Sequence, residues 1–118
     1  MARLTLRIEF DDDRAIGPGK ARLLELIQQH CSIAAAGRAM GMSYRRAWLL
    51  VDDLNRCFDE PVVEAQHGGR AGGGAALTDF GRTLLENYRA IEQEAERATR
   101  KRLAALHRKL RIGKRGRG

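Results

Sequence analysis

Two adjacent arginines, Arg45 and Arg46, are the side chains with the clearest chemistry in this chain, and they follow directly on Ser43 and Tyr44. A guanidinium presents several N–H donors in a fixed plane, which suits guanine edges and phosphate oxygens. Ser43 is suited to cap a helix that begins here, and the free N–H groups of such a helix start can receive a phosphate. The arrangement predicts contact with nucleic acid without catalysis.

The predicted helix with these arginines lies in the stretch from Ser32 to Asn55, SIAAAGRAMGMSYRRAWLLVDDLN. Small residues fill its first part, so that another helix can cross it closely. Gly41 stands where a first helix should end, because glycine tolerates positive φ. Ser32 and Ser43 are each suited to cap the helix that follows them. The spacing predicts a helix-turn-helix, with an ordinary helical hairpin as the alternative.

The second helix of this motif has two distinct faces. The predicted buried face consists of Ala47, Val51, Leu54 and Phe58, widened by Trp48 and Leu50. The opposite face presents Arg45, Arg46, Leu49, Asp52, Asp53 and Arg56. Tyr44 is placed to contact a phosphate or a base edge, and Leu49 a thymine methyl. The two aspartates confine the expected contact to the first turns, and a solvated helix face is the alternative for the arginines.

The segments before the motif predict a strand and a helix. Residues 3–10 alternate between apolar and polar side chains, a pattern typical of a half-buried strand. Residues 11–19 are acidic and then rich in Gly and Pro, which predicts a loop, and residues 20–31 have apolar residues at helical spacing.

After the motif, Pro61 should end the helix, and residues 62–66 and 75–77 predict a hairpin with a glycine-rich tip. Glycines such as Gly72 would let this wing lie close to the sugar–phosphate edge, with Arg70 entering a minor groove. A nucleotide-binding loop is the competing interpretation. It lacks the GxxxxGK[ST] pattern, since Leu77 and Thr78 follow the glycines.

From Thr78, a suitable N-cap, the pattern predicts one long helix that extends to about residue 112. Its distal half is too long to be buried by so small a domain, so the helix should pair with the same helix of a second copy. The residues predicted for this dimer contact are Leu84, Tyr88, Ile91, Ala95, Leu103 and Leu106.

The net charge of +7 is concentrated at the C-terminus. Residues 101–118 hold eight Lys and Arg and no acidic residue, whereas residues 1–100 hold 14 basic and 15 acidic residues. Residues 113–118 should be disordered, and this tail either binds phosphate non-specifically or keeps the protein soluble. The body is near neutral, so any nucleic-acid contact must come from a local patch.

Other functional classes find little support in the sequence. Cys31 and Cys57 form no metal-ligand pattern, the histidines are scattered, and no catalytic constellation is visible, so neither a cofactor nor an enzyme activity is expected. No apolar run approaches the roughly 18 residues of a membrane span, and no leader is apparent. A cytoplasmic protein without membrane contact is the expectation.

Two segments match a known family. SIAAAGRAMGMSYRRAW and VEAQHGGRAGGGAALTDFG, with the long helix after them, resemble the N-terminal domain of the ModE family of molybdate-responsive transcription regulators. The family pattern is close to SISxxAxxxGxSYKxAW followed by VExxxGGxxGGGAxLTxxG, and the likeness covers roughly residues 3–100. The helix-turn-helix is more distantly similar to that of LysR-type regulators.

The resemblance implies a winged helix that binds a palindromic operator as a dimer through the long helix. It places Tyr44, Arg45 and Arg46 in the recognition helix and Arg70 in the wing, with Arg45 where the family usually has Lys. Family members continue into domains that bind molybdate, whereas this sequence stops at Gly118. Molybdate is therefore not expected to bind this chain alone.

The expected fold is mainly α with a small β wing. Residues 1–78 form a winged helix-turn-helix, residues 79–112 the dimerisation helix and residues 113–118 the tail. The first hypothesis is a homodimeric regulator of double-stranded DNA that lacks the molybdate-binding domains. The alternative is a helical protein-interaction module that acts through the long helix, and an oxyanion-responsive repressor is a third possibility.

Overall fold

The computed structural model describes residues 2–67 and 74–112. The predicted wing tip, with Arg70 and Gly72, and the tail of residues 113–118 lie outside this part of the chain. The described elements follow in the order β1 Ile8–Glu9, β2 Ala15–Ile16, α1 Pro18–His30, α2 Ile33–Ala39, α3 Tyr44–Cys57, β3 Val63–Gln66, β4 Gly74–Leu77 and α4 Asp79–His107. The predicted mainly α fold with a small β wing and a long C-terminal helix is confirmed.

The N-terminal strand is shorter than the alternation over residues 3–10 predicts. Only Ile8 and Glu9 pair, with β2, which lies in the predicted loop of residues 11–19. A turn explains the missed strand, because the Asp11 carboxylate accepts the backbone N–H groups of Asp13 and Arg14 and the chain reverses at once. Residues 2–7 keep an alternating burial, although among the described residues they have no strand partner.

The core is built around α1. Its Leu23, Leu24 and Ile27 are fully buried, together with Leu54 of α3 and Tyr88 of α4. The Tyr88 hydroxyl donates a hydrogen bond of 2.6 Å to the carbonyl oxygen of Leu6, which holds the N-terminal segment against α4. A single apolar core therefore positions both α3 and the first half of α4.

The helix-turn-helix forms as its sequence predicts. The Ser32 hydroxyl accepts the backbone N–H of Ala35, and the Ser43 hydroxyl accepts that of Arg46 at 3.1 Å. Gly41 has a φ of +72°, which fits its predicted place after α2. A Cβ atom at Gly37 would lie 3.0 Å from that of Ala47, so the two helices cross closely.

Helix α4 begins at the predicted cap, since the Thr78 hydroxyl accepts the N–H of Gly81 at 2.9 Å. The helix ends at His107, earlier than the predicted residue 112. Its first turns are fixed to α1 by Arg89, which donates two hydrogen bonds of 2.9 Å to the carboxylate of Glu25. These bonds hold the pKa of Glu25 below its usual value.

Gly81 gives a test of how tightly α4 packs against the start of the hairpin at Val62. A Cβ atom at this position would fall well inside contact distance of the Val62 carbonyl oxygen, a backbone atom that cannot rotate away. Gly81→Ala should therefore lower the free energy of unfolding by about 2 kcal/mol, although alanine favours helices in general. Urea unfolding followed by circular dichroism measures this change.

Gly19→Ala is the matched control, because a Cβ atom at Gly19 in α1 would meet nothing within 4 Å. Its effect should stay within about 0.5 kcal/mol. Equal stability of the two variants would contradict the close approach of α4 to Val62.

Candidate nucleic-acid interface

The first two turns of α3 bring together the predicted contact residues. Tyr44, Arg45, Arg46 and Leu49 are all exposed, and Ser43 caps the helix directly before them. Among the ion pairs of the described residues, none involves Arg45 or Arg46. Both guanidinium groups are thus available, at the end of the helix where the dipole favours an anion.

The acidic residues of α3 are engaged in ion pairs. The carboxylate of Asp52 lies 2.9 Å from Nε of Arg56, and that of Asp53 lies 3.3 Å from Nζ of Lys20. Both aspartates follow the arginines by at least one and a half turns. Because each carboxylate is paired with a cation, it repels a phosphate near the start of α3 less than an unpaired carboxylate would.

Trp48 differs from its predicted place. The sequence pattern assigned it to the buried face of α3, yet 44% of its surface is exposed. Ala47 is fully buried, and Trp48, about 100° further round the helix, falls on the flank of the face that points to the core. The assignment of Trp48 to the buried face was wrong, whereas those of Ala47, Val51 and Leu54 are confirmed.

Asn55 joins α3 to the hairpin of β3 and β4. Its side-chain oxygen accepts the N–H groups of Val62 at 2.7 Å and Val63 at 3.1 Å, and its amide nitrogen donates to the Val63 carbonyl oxygen. The sequence offered no signal for this role, because the bonds join residues on different elements. Helix α3 and the base of the hairpin are therefore held as one unit.

The hairpin is also anchored to the end of α1. Gly74 pairs with Gln66, and the N–H of Ala75 donates to the Cys31 carbonyl oxygen at 3.1 Å. A Cβ atom at Gly74 would lie 2.7 Å from that oxygen, so glycine is required for this approach. The structure thus describes the base of the predicted wing, and the placement of Arg70 and Gly72 stays a prediction.

The residues predicted for the dimer contact fall into two groups. Leu84 packs against the core and Tyr88 is 1% exposed, so Tyr88 has almost no surface left for a second copy. The prediction that Tyr88 contacts a second copy was wrong, because this part of the apolar stripe packs into the domain's own core. Ile91 and Leu106 are exposed, while Ala95 and Leu103 are half-buried.

A metal site, a disulfide bond and a membrane span each require a particular arrangement of residues. Within residues 2–67 and 74–112, no group of His, Cys, Asp and Glu is arranged to hold a metal ion. Cys31 and Cys57 are free thiols. None of the described helices is long and apolar enough to cross a membrane.

Asn55→Ala tests the connection between α3 and the hairpin. The substitution leaves the backbone N–H groups of Val62 and Val63 without their acceptor, which should lower the free energy of unfolding by about 2 kcal/mol. Asn87→Ala is the matched control, since Asn87 is exposed and bonds only within α4, to the carbonyl oxygen of Thr83. If thermal unfolding gives both variants the same stability, Asn55 does not secure the hairpin.

Comparison with known proteins finds several relatives of this chain, although no family model matches it. The "Molybdenum transport protein ModE" of Azotobacter vinelandii is 40% identical over 81% of this chain and 36% of its own length. The "DNA-binding transcriptional dual regulator ModE" of Escherichia coli K12 is 30% identical over 82% of this chain and 37% of its own length. The "Molybdenum-pterin-binding protein MopA" of Rhodobacter capsulatus is 44% identical over 65% of this chain and 29% of its own length.

The chain spans about a third of the length of these curated relatives. Their names describe regulation, molybdenum transport and molybdenum-pterin binding. The resemblance carried by the two sequence motifs is confirmed. Over about four-fifths of its length, the chain is similar to proteins named ModE, two of which are named as transcription regulators.

Proposed function

We propose that this protein is a transcription regulator that binds double-stranded DNA through the start of α3, without catalysis. The observation that carries the proposal is the pair of exposed arginines, Arg45 and Arg46, at a helix end capped by Ser43. The relatives named as regulators support it, since one of them is described as DNA-binding. In a winged helix of this kind, the first turns of the second motif helix enter the major groove.

Each side chain of this surface is assigned a role. Arg45, on the outward face of α3, donates to a guanine edge, and Arg46, on its flank, to a base edge or a phosphate. Tyr44 and the N–H groups after Ser43 bind phosphate, and Leu49 contacts a thymine methyl. In the wing, Arg70 lies in a minor groove and Gly72 allows the backbone to approach.

We further propose that the protein acts as a homodimer in which two α4 helices pair in antiparallel orientation. Residues 79–96 contain five acidic and two basic residues, whereas residues 97–112 contain seven Lys and Arg and no acidic residue. Antiparallel pairing sets the basic half of one helix against the acidic half of the other, while parallel pairing sets like charges together. Ile91 and Leu106 supply exposed apolar surface to the contact, with Ala95 and Leu103 beside them, and Leu84 lies at its edge. A two-fold axis between the protomers matches a palindromic operator.

We propose that molybdate does not bind this chain alone, although several relatives are named for molybdenum. A site for an oxyanion needs free buried donors, and among the described residues the one buried side-chain donor, the Tyr88 hydroxyl, already donates to the Leu6 carbonyl oxygen. The DNA affinity of this chain should accordingly be the same with and without molybdate.

A protein-interaction module is the second candidate. The observation that favours it is the exposed apolar surface at and just beyond the end of α4, where Leu106 is 69% and Leu110 64% exposed. In that case the arginines of α3 would be solvated and their removal would leave binding to the partner intact. The experiment below separates the two functions.

Arg45→Ala and Arg46→Ala should each weaken binding to a duplex from the protein's own upstream region by about tenfold, at a cost of roughly 1–3 kcal/mol. Fluorescence anisotropy of labelled DNA over a range of salt concentrations measures both affinity and the number of phosphate contacts. Arg22→Ala is the control, because this exposed arginine of α1 lies beside α4 and away from α3. Wild-type affinity for all three variants would contradict the assignment of DNA binding to α3.

Leu106→Glu should weaken the dimer by about tenfold or more, because it places a carboxylate in the apolar contact. Sedimentation equilibrium measures the change in dimer dissociation constant. Ile112→Glu is the control, since Ile112 lies beyond the end of α4 and is 97% exposed. A wild-type chain that stays monomeric at the highest concentration studied would contradict the proposed homodimer.

A further inference from the structure

Trp48 is a large apolar side chain that the fold leaves uncovered. It lies in the second turn of α3. Ala47 before it and Val51 after it are both buried in the core. The aromatic pairs among the described residues join Phe10, Phe58 and Phe80, and none of them includes Trp48. An indole with this much exposed surface is typical of a contact with another molecule.

The position of Trp48 on α3 shows which way it points. Tyr44 precedes it by four residues and Asn55 follows it by seven, so the three side chains lie along one flank of the helix. Asn55 is bonded to β3, and Tyr44 lines a groove together with Gln66 and Gly74 of the hairpin. Trp48 therefore lies on the flank of α3 that faces the hairpin.

The charges around this flank identify the chemistry of the partner. Arg45, three residues before Trp48 on α3, is exposed, and it takes part in no ion pair among the described residues. The nearest acid on α3, Asp52, is paired with Arg56. An apolar indole with one N–H donor, set beside a free cation, suits a polyanion with apolar sugar rings.

We propose that Trp48 packs against the sugar–phosphate strand of DNA that passes between α3 and the hairpin. The proposal rests on the proposed DNA-binding function and adds a residue to it. The indole face covers a deoxyribose, and its Nε1–H donates to a phosphate oxygen. Because this contact reads no base, it strengthens binding to specific and unrelated duplexes alike.

Trp48 is the single tryptophan of the chain, so its fluorescence reports on this contact directly. The wild-type protein is titrated with a labelled duplex from its upstream region, and anisotropy of the label gives the bound fraction. At saturation, we expect acrylamide to quench Trp48 less than in the free protein, because the DNA strand covers the indole. Unchanged quenching in a duplex-bound protein would overturn the role of Trp48 while leaving DNA binding intact.

A duplex that fails to bind, seen as unchanged anisotropy, would instead overturn the proposed DNA-binding function and with it this inference. Variants supply a second measurement. Trp48→Ala should weaken binding to specific and unrelated duplexes by about tenfold each, as expected when a buried aromatic contact is lost. Trp48→Phe should recover part of this loss, since it keeps the ring and lacks the donor.

Ile112→Ala is the matched control, because it also removes an exposed apolar side chain but lies far along the chain from α3. Its affinity for DNA should equal that of the wild type. Thermal unfolding checks that each variant is folded. If Trp48→Ala does not fold, acrylamide quenching of the wild-type protein alone decides whether DNA covers Trp48. Equal affinity of folded Trp48→Ala and wild type would contradict the proposal.

Discussion

The backbone N–H and carbonyl of Val62 connect the three elements on which the proposed function depends. Its N–H donates to the side chain of Asn55 in α3 at 2.7 Å, and its carbonyl oxygen accepts the N–H of Thr78 at 3.0 Å, directly before α4. Gly81 in the first turn of α4 lies so close to this oxygen that a Cβ atom would not fit. The Val62 side chain is fully buried, which keeps water away from these bonds.

This junction fixes α3 relative to both the hairpin and α4. The proposed regulator must hold two α3 helices at a set separation to read a palindrome, and that separation depends on the angle between α3 and α4. In this protein the angle is set by buried bonds close to Val62 and by the pair of Arg89 with Glu25, which joins α4 to α1. A rigid domain of this kind would place the two α3 helices of the proposed dimer symmetrically on the DNA.

Features determined by neighbouring residues could be predicted from the sequence. The caps at Ser32, Ser43 and Thr78, the turn at Gly41 and the hairpin all follow from local chemistry, and the structure has them at those positions. Features that depend on distant parts of the chain could not be predicted. Trp48 is exposed because of how α3 lies on the core, and Tyr88 is buried because the segment around Leu6 crosses it. The same holds for Asp53, whose cation, Lys20, comes from α1.

Selection of bound duplexes from random-sequence DNA tests the central claim most directly, because it presumes no operator. A symmetric dimer that reads DNA through the first turns of α3 should enrich an inverted repeat, with half-sites about one helical turn, or roughly 34 Å, apart. Enrichment of a single unrepeated half-site would contradict the dimer. Failure to enrich any sequence would contradict base reading by Arg45 and Arg46.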